Sequence, residues 1–318
     1  MELLTRSQLL AGTGAAALAF APLPLRAQAL PHIRVAGVAT DDMTPIYWAV
    51  RSGMYQKAGL DVEIVPTSSG TAATTAVVAG AYEIGKGSPI ASMLAHLRGL
   101  PLVVIANASM WDPKNAFNLT VVAADSTIKT GADLNGKIAA SPALNDMNGL
   151  SIMAWVDKNG GDSKTLKYIE LPNSTTAQAL HDHRVDVAAM VQPQLTDAIA
   201  DGTVRVLAEG FSAIADRFVI ANYFANSDWA AKNPDVVKRW VRVTLAAGAY
   251  TNTHHADTVA MMSDVTKIPI EIFRKMVRVE ATTPATADPA LVQPLIDIAA
   301  KYKNIPRAFP AREMFLAG

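Results

Sequence analysis

The chain predicts an α/β fold of two lobes, each a largely parallel sheet flanked by helices. Short apolar runs rich in β-branched residues alternate with Ala-rich helical patterns from Ile33 onward, the rhythm of βαβ units. That rhythm occurs in two successive sets, and the 318-residue length suits two medium domains. The tail after Phe224 is almost wholly helical in pattern, so nothing in it supplies a third sheet.

The first set of strand-like runs is Ile33 to Val38, Val62 to Val65, Leu102 to Ala106 and Leu119 to Ala123. Between the first two, Ile46, Ala49, Val50 and Met54 recur at i, i+3, i+4 and i+8, which predicts a helix with one buried face, ended near Gly53 and Gly59. The second set is Lys137 to Ala140, Leu166 to Ile169, Val185 to Val191 and Val204 to Leu207, with helices at Leu150 to Lys158 and Thr175 to Asp182. Phe218 to Phe224 then reads as a returning strand. Helical patterns follow at Pro234 to Asn252, Asp257 to Thr266, Ile270 to Val277 and Asp288 to Tyr302, expected to coat the first lobe. The predicted organisation is therefore 1–29 as a leader, 30–122 with 218–318 as lobe 1, and 123–217 as lobe 2. The chain would cross near Val122 to Asp125 and near Phe211 to Val219, a candidate hinge.

The leader is read from Arg6, the uncharged run Ser7 to Leu25, and the small-x-small triplet Ala27-Gln28-Ala29. These predict an export signal cut after Ala29 and a periplasmic mature protein. Gly12, Gly14, Pro22 and Pro24 interrupt the run and leave it short for a bilayer anchor. The general secretory route and a twin-arginine-like route through Thr5-Arg6-Ser7-Gln8-Leu9-Leu10 both stay open. Composition narrows the chemistry further. With 28 basic and 28 acidic residues there is no positive surplus to hold phosphate backbones, so no nucleic-acid partner is expected. Zero cysteines exclude disulfides, thiolate metal sites and a cysteine nucleophile.

In open α/β sheets, ligands collect beyond the carboxyl ends of the strands, where free N–H groups of helix N-termini point into a crevice. The sequence places a hydroxyl at four such loops: Thr44-Pro45, Ser69-Gly70-Thr71, Ser88-Pro89 and Ser141-Pro142. Each one alone reads as a helix cap. Their convergence on one crevice is what suggests a site, and Gly70 and Gly87 let backbone approach closely there.

The block Pro45-Ile46-Tyr47-Trp48-Ala49-Val50-Arg51-Ser52-Gly53-Met54-Tyr55-Gln56-Lys57-Ala58-Gly59-Leu60-Asp61-Val62 resembles the opening of solute-binding proteins of the nitrate/sulfonate/taurine and thiamine-pyrimidine group of ABC importers. The similarity continues through Ser68-Ser69-Gly70, Ala79 to Gly85, Gly87-Ser88-Pro89, Asp133 to Ala139, Ala177 to Leu180 and Val185 to Ala189. The resemblance implies a two-lobed periplasmic-binding-protein fold of type II, the venus flytrap. It also implies a monomer that captures a small organic solute between its lobes and delivers it to a membrane permease and its ATPase, without a cofactor. Carried over by position, ligand contacts fall on Asp41, Asp42, Thr44, Tyr47, Ser69, Gly70, Thr71, Gly87, Ser88 and Trp111 in the first lobe. In the second they fall on Ser141, Asn145 and Gln192, with Asn222 at the return crossing.

The candidate loops offer only Lys86 and Lys114 as cations against Asp41, Asp42 and Asp146, which disfavours multivalent anions. Helix N-termini can hold one carboxylate or sulfonate. Asp41 or Asp42 can accept from an amine or ring N–H. The solute is expected to be neutral or singly charged with a flat portion. His181-Asp182-His183 and His254-His255 lack a third ligand in view, so no metal is expected. The competing reading is an enzyme on the same fold, since the group also resembles menaquinone-pathway lyases and pyrimidine synthases. The leader and the lack of cysteine weigh against it. A third reading is a sensor that docks on a membrane receptor.

Overall fold

The computed structural model describes residues 30–142 and 146–317. The expected leader and Asn145 lie outside the described residues. The strands are β1 (His32–Gly37), β2 (Asp61–Pro66), β3 (Ile84–Gly87), β4 (Leu102–Trp111), β5 (Asn118–Ala123), β6 (Ile138–Ser141), β7 (Lys167–Glu170), β8 (Val187–Val191), β9 (Val204–Ala208), β10 (Phe218–Asn226) and β11 (Glu280–Ala281). The helices are α1 (Thr44–Arg51), α2 (Met54–Lys57), α3 (Gly70–Val78), α4 (Pro89–Leu97), α5 (Met147–Lys158), α6 (Asn173–His181), α7 (Gln194–Ala200), α8 (Ser227–Lys232), α9 (Pro234–Thr251), α10 (His255–Thr266), α11 (Ile270–Lys275) and α12 (Gln293–Lys301).

Two sheets form, in the orders β11-β4-β10-β3-β1-β2 and β7-β6-β8-β5-β9. Both are mixed, which corrects the expectation of largely parallel sheets. The pairs β1–β2, β1–β3, β6–β7 and β6–β8 are parallel, as βαβ units require. Strands β5 and β10 each enter their sheet from the other lobe, and both run antiparallel to their neighbours. A strand that arrives from the side on which the βα loops emerge has to run against them.

The same pairing moves the first crossing. Leu119 to Ala123, expected in the first lobe, pairs with β8 and β9 in the second sheet, so the chain crosses between Trp111 and Asn118 rather than after Val122. The second crossing lies between β9 and β10, which belong to different sheets. Arg217 on that crossing sits 3.9 Å from Asp112 on the first and also bonds Glu280 of β11.

Local chemistry explains the elements. Ile46 and Ala49 are fully buried, as their spacing predicts, and Gly53 at φ 72° and Gly59 at φ 71° take left-handed backbone where that helix breaks. The tail does return to the first lobe. Trp240 of α9 is buried against Tyr55 and Tyr223, with ring centroids 6.2 and 5.1 Å away, and Leu316 N donates to Val104 O at 2.8 Å. It also touches the second lobe, since Tyr302 after α12 donates to Asp157 at 2.7 Å. One apolar cluster runs through both lobes beside the crossings, joining Met93, Trp111 and Leu295 to Leu150 and Phe211.

Candidate functional site

The carboxyl ends of β1, β2 and β3 carry three loops to one side of the first sheet. After β2, Ser69 caps α3, its hydroxyl accepting from Ala72 N at 3.1 Å. After β3, Ser88 caps α4 and accepts from Ile90 N at 3.3 Å, with Pro89 at the first helical position. The two helix tips touch through glycine. A Cβ on Gly70 would lie 3.3 Å from Gly87 Cα, and one on Gly87 would lie 3.3 Å from Gly70 O. The glycines therefore serve the approach of one loop to the other, and the Gly70 and Thr71 amides stand at the α3 tip, where no carbonyl of their own helix can pair with them.

Facing these tips, Pro142, Val191 and Gln192 from the second lobe and Phe117 from the first crossing close a cleft of about 370 Å³. Its first-lobe wall is Val38, Thr40, Asp41, Asp42, Ser69, Gly70, Thr71, Lys86, Gly87, Ser88, Ala91 and Val279. This volume falls in the small-molecule range of about 300–1,000 Å³.

Both carboxylates in the wall are already engaged. Asp41 Oδ1 accepts from Arg278 Nε at 2.6 Å and Oδ2 from Val279 N at 2.9 Å. Burial pushes the Asp41 carboxyl up, while Arg278 and the Val279 amide pull it back. Asp42 Oδ2 accepts from Lys86 Nζ, and its Oδ1 from Thr40 Oγ1 at 2.6 Å. Across the cleft, Gln192 Oε1 accepts from Thr196 Oγ1 at 2.6 Å, and its NH₂ has no partner among the described residues. The cleft thus offers N–H and O–H donors over apolar walls, its fixed charges cancelled in pairs. An amine would find both aspartates taken; a singly charged oxyanion would find donors.

Of the residues expected here, Asp41, Asp42, Ser69, Gly70, Thr71, Gly87, Ser88 and Gln192 line this cleft. Thr44 does not cap α1 as expected: Met43 is the N-cap, and the Thr44 hydroxyl turns back to Asp41 O at 2.6 Å. Tyr47, expected as a flat face for the solute, packs instead against the clusters around α1 and α10, and burial pushes its phenol up. Trp111, expected at the cleft, is fully buried, 5.3 Å from Phe211 and 6.2 Å from Phe117 between ring centroids. At the end of a ten-residue strand it falls on the inward side, behind Phe117.

Ser141 is buried and donates to Asp146, which itself caps α5 by accepting from Gly149 N at 2.8 Å. Burial pushes the Asp146 carboxyl up against these bonds. Asn222, mid-strand in β10, is fully buried and accepts from Ser92 Oγ at 3.0 Å, so it supports the sheet behind the site. Sequence reading missed Phe117, Val191, Val279 and Arg278. The first three carry no motif, and Arg278 comes from the tail 237 residues after Asp41. Among the described residues no group of three or more His, Asp or Glu side chains could hold a metal ion.

Comparison with known proteins agrees with this architecture. The family model described as NMT1/THI5 like matches residues 40–257. A chain from Brucella abortus (strain 2308), provisionally assigned as a binding protein, is 24% identical over 266 residues, covering 79% of this chain and 76% of that one. The periplasmic aliphatic sulphonate binding protein SsuA from Escherichia coli superposes with TM-score 0.73 at 20% identity, over 90% of this chain and 92% of that one. The periplasmic nitrate-binding protein NrtA from Synechocystis PCC 6803 gives TM-score 0.74 at 13% identity, over 89% and 84%. At such identities the structural likeness speaks for the fold.

Proposed function

The chain belongs to the NMT1/THI5-like family, and from that premise we propose that it is the solute-binding component of an ABC importer. It takes a small organic solute with one anionic head and an apolar body into the cleft between its lobes and hands it to a membrane permease driven by an ATPase. The observation that carries this reading is the cleft itself, about 370 Å³, walled by both lobes, rich in donors and balanced in charge. Nitrate would fill only a small part of that volume, whereas an organosulfonate would place its head on the α3 and α4 tips and its chain against Phe117 and Val191. Closure requires only that the solute bind the closed form better than the open one.

The reading includes export to the periplasm. It rests on the Arg6 to Ala29 pattern and on the periplasmic proteins of similar fold. Among the described residues no helix is long and apolar enough to cross a membrane. Titration calorimetry against a series of alkanesulfonates tests the proposal. Micromolar or tighter binding that strengthens with chain length is expected, with the solute recovered unchanged. No binding of any member would refute the solute class, and a converted product would make the protein an enzyme.

A further inference from the structure

We propose that Asp42 sets the charge class of the solute by cancelling Lys86, the only cation among the described residues that line the cleft. The inference rests on the solute-binding reading above and deepens it. Lys86 is the penultimate residue of β3, just before the Gly87-Ser88 tip, and only 7% exposed. A buried ammonium so close to two helix N-termini would make the cleft strongly positive and favour doubly charged anions. Asp42 prevents that. Its Oδ2 takes the Lys86 Nζ, and its Oδ1 is fixed by the Thr40 hydroxyl at 2.6 Å, so the carboxylate is held toward the lysine. Asp41 leaves no surplus charge either, being matched by Arg278 at 2.6 Å. With both pairs closed, the helix tips supply the remaining attraction, which suits one negative charge.

The lysine is therefore a masked cation, and unmasking it changes which solute is preferred. The probes are butanesulfonate and butyl phosphate, measured by calorimetry at about pH 8, where a phosphomonoester with a second pKa near 6 carries two charges. The wild-type protein should prefer the sulfonate. Asp42→Asn should move the affinity ratio toward the phosphate by about tenfold or more, and Lys86→Gln should move it the opposite way by a similar factor. The double variant Asp42→Asn/Lys86→Gln should return to the wild-type ratio, and either single variant suffices if the other fails to fold.

A ratio unchanged in folded single variants, with sulfonate still bound, would overturn this inference and leave the solute-binding reading standing. Phosphate binding by Asp42→Asn alone, with no sulfonate bound by any form, would keep the mask and remove the sulfonate class. Binding of neither probe by any form would refute both.

Discussion

Arg278 places its Nε 2.6 Å from Asp41 Oδ1, and the amide of the next residue, Val279, reaches the other Asp41 oxygen at 2.9 Å. Through this pair the tail segment before β11 is locked to the loop after β1. Thr44 and Thr258 take the remaining guanidinium nitrogens at 3.2 and 3.4 Å. Asp41 and Val279 line the cleft while Arg278 does not, so the pair fixes part of the wall as well as stabilising the lobe.

Arg278→Met leaves the Asp41 carboxylate buried without its cation. Breaking one side of such a pair costs about 3–5 kcal/mol, and urea unfolding should show a loss of that size. The Asp41→Asn/Arg278→Met double variant should recover much of it. Equal stability of wild type and single variant would mean that the pair is not closed in solution.

Trp111→Ala should destabilise the protein by about 3–5 kcal/mol, the usual cost of removing a buried indole. Its ring is fully buried against Phe211 and Phe117 and does not itself line the cleft. A variant that melted like wild type but lost solute affinity would put Trp111 back among the ligand contacts.

Gly87→Ala tests the spacing of the helix tips. The new methyl would lie 3.3 Å from Gly70 O and 3.3 Å from Phe224 Cε1, so the α3 and α4 tips must separate by a few tenths of an ångström. A stability cost of about 1–3 kcal/mol follows from overpacking, together with an affinity loss of about tenfold read by calorimetry. Unchanged affinity would show that the solute head does not read this spacing.

Glu83→Gln gives a pH signature. Burial alone would raise the Glu83 carboxyl, but Arg34, through its guanidinium and its backbone N–H, holds it below the ordinary 4.5. Because the folded-state pKa is the lower one, the stabilisation is present above the unfolded value and is lost as pH falls through the folded value. Arg34 is 38% exposed, so solvent screens the pair and keeps its contribution small. The stability gap between wild type and variant should be seen at pH 7 and close toward pH 3; a gap independent of pH would contradict it.

Much of this was legible in the sequence because it is local. The period of Ile46 and Ala49, the caps at Ser69 and Ser88 and the glycines between them each depend on neighbours a few residues away. What escaped is non-local. Nothing in Leu119 to Ala123 says which sheet will take it, since an apolar strand suits either, and only pairing with β8 and β9 decides. The inward face of Trp111 depends on where β4 ends. Arg278 offered no motif, and without it Asp41 reads as a free acceptor when both of its oxygens are occupied.

The most direct test is a crystal structure of the protein with butanesulfonate. The sulfonate oxygens should lie within hydrogen-bond distance of the Thr71 or Ser88 amides, with the alkyl chain against Phe117 and Val191. A sulfonate seated in the separate groove between Val241, Arg312 and Phe315, with the cleft between the lobes left to solvent, would contradict it.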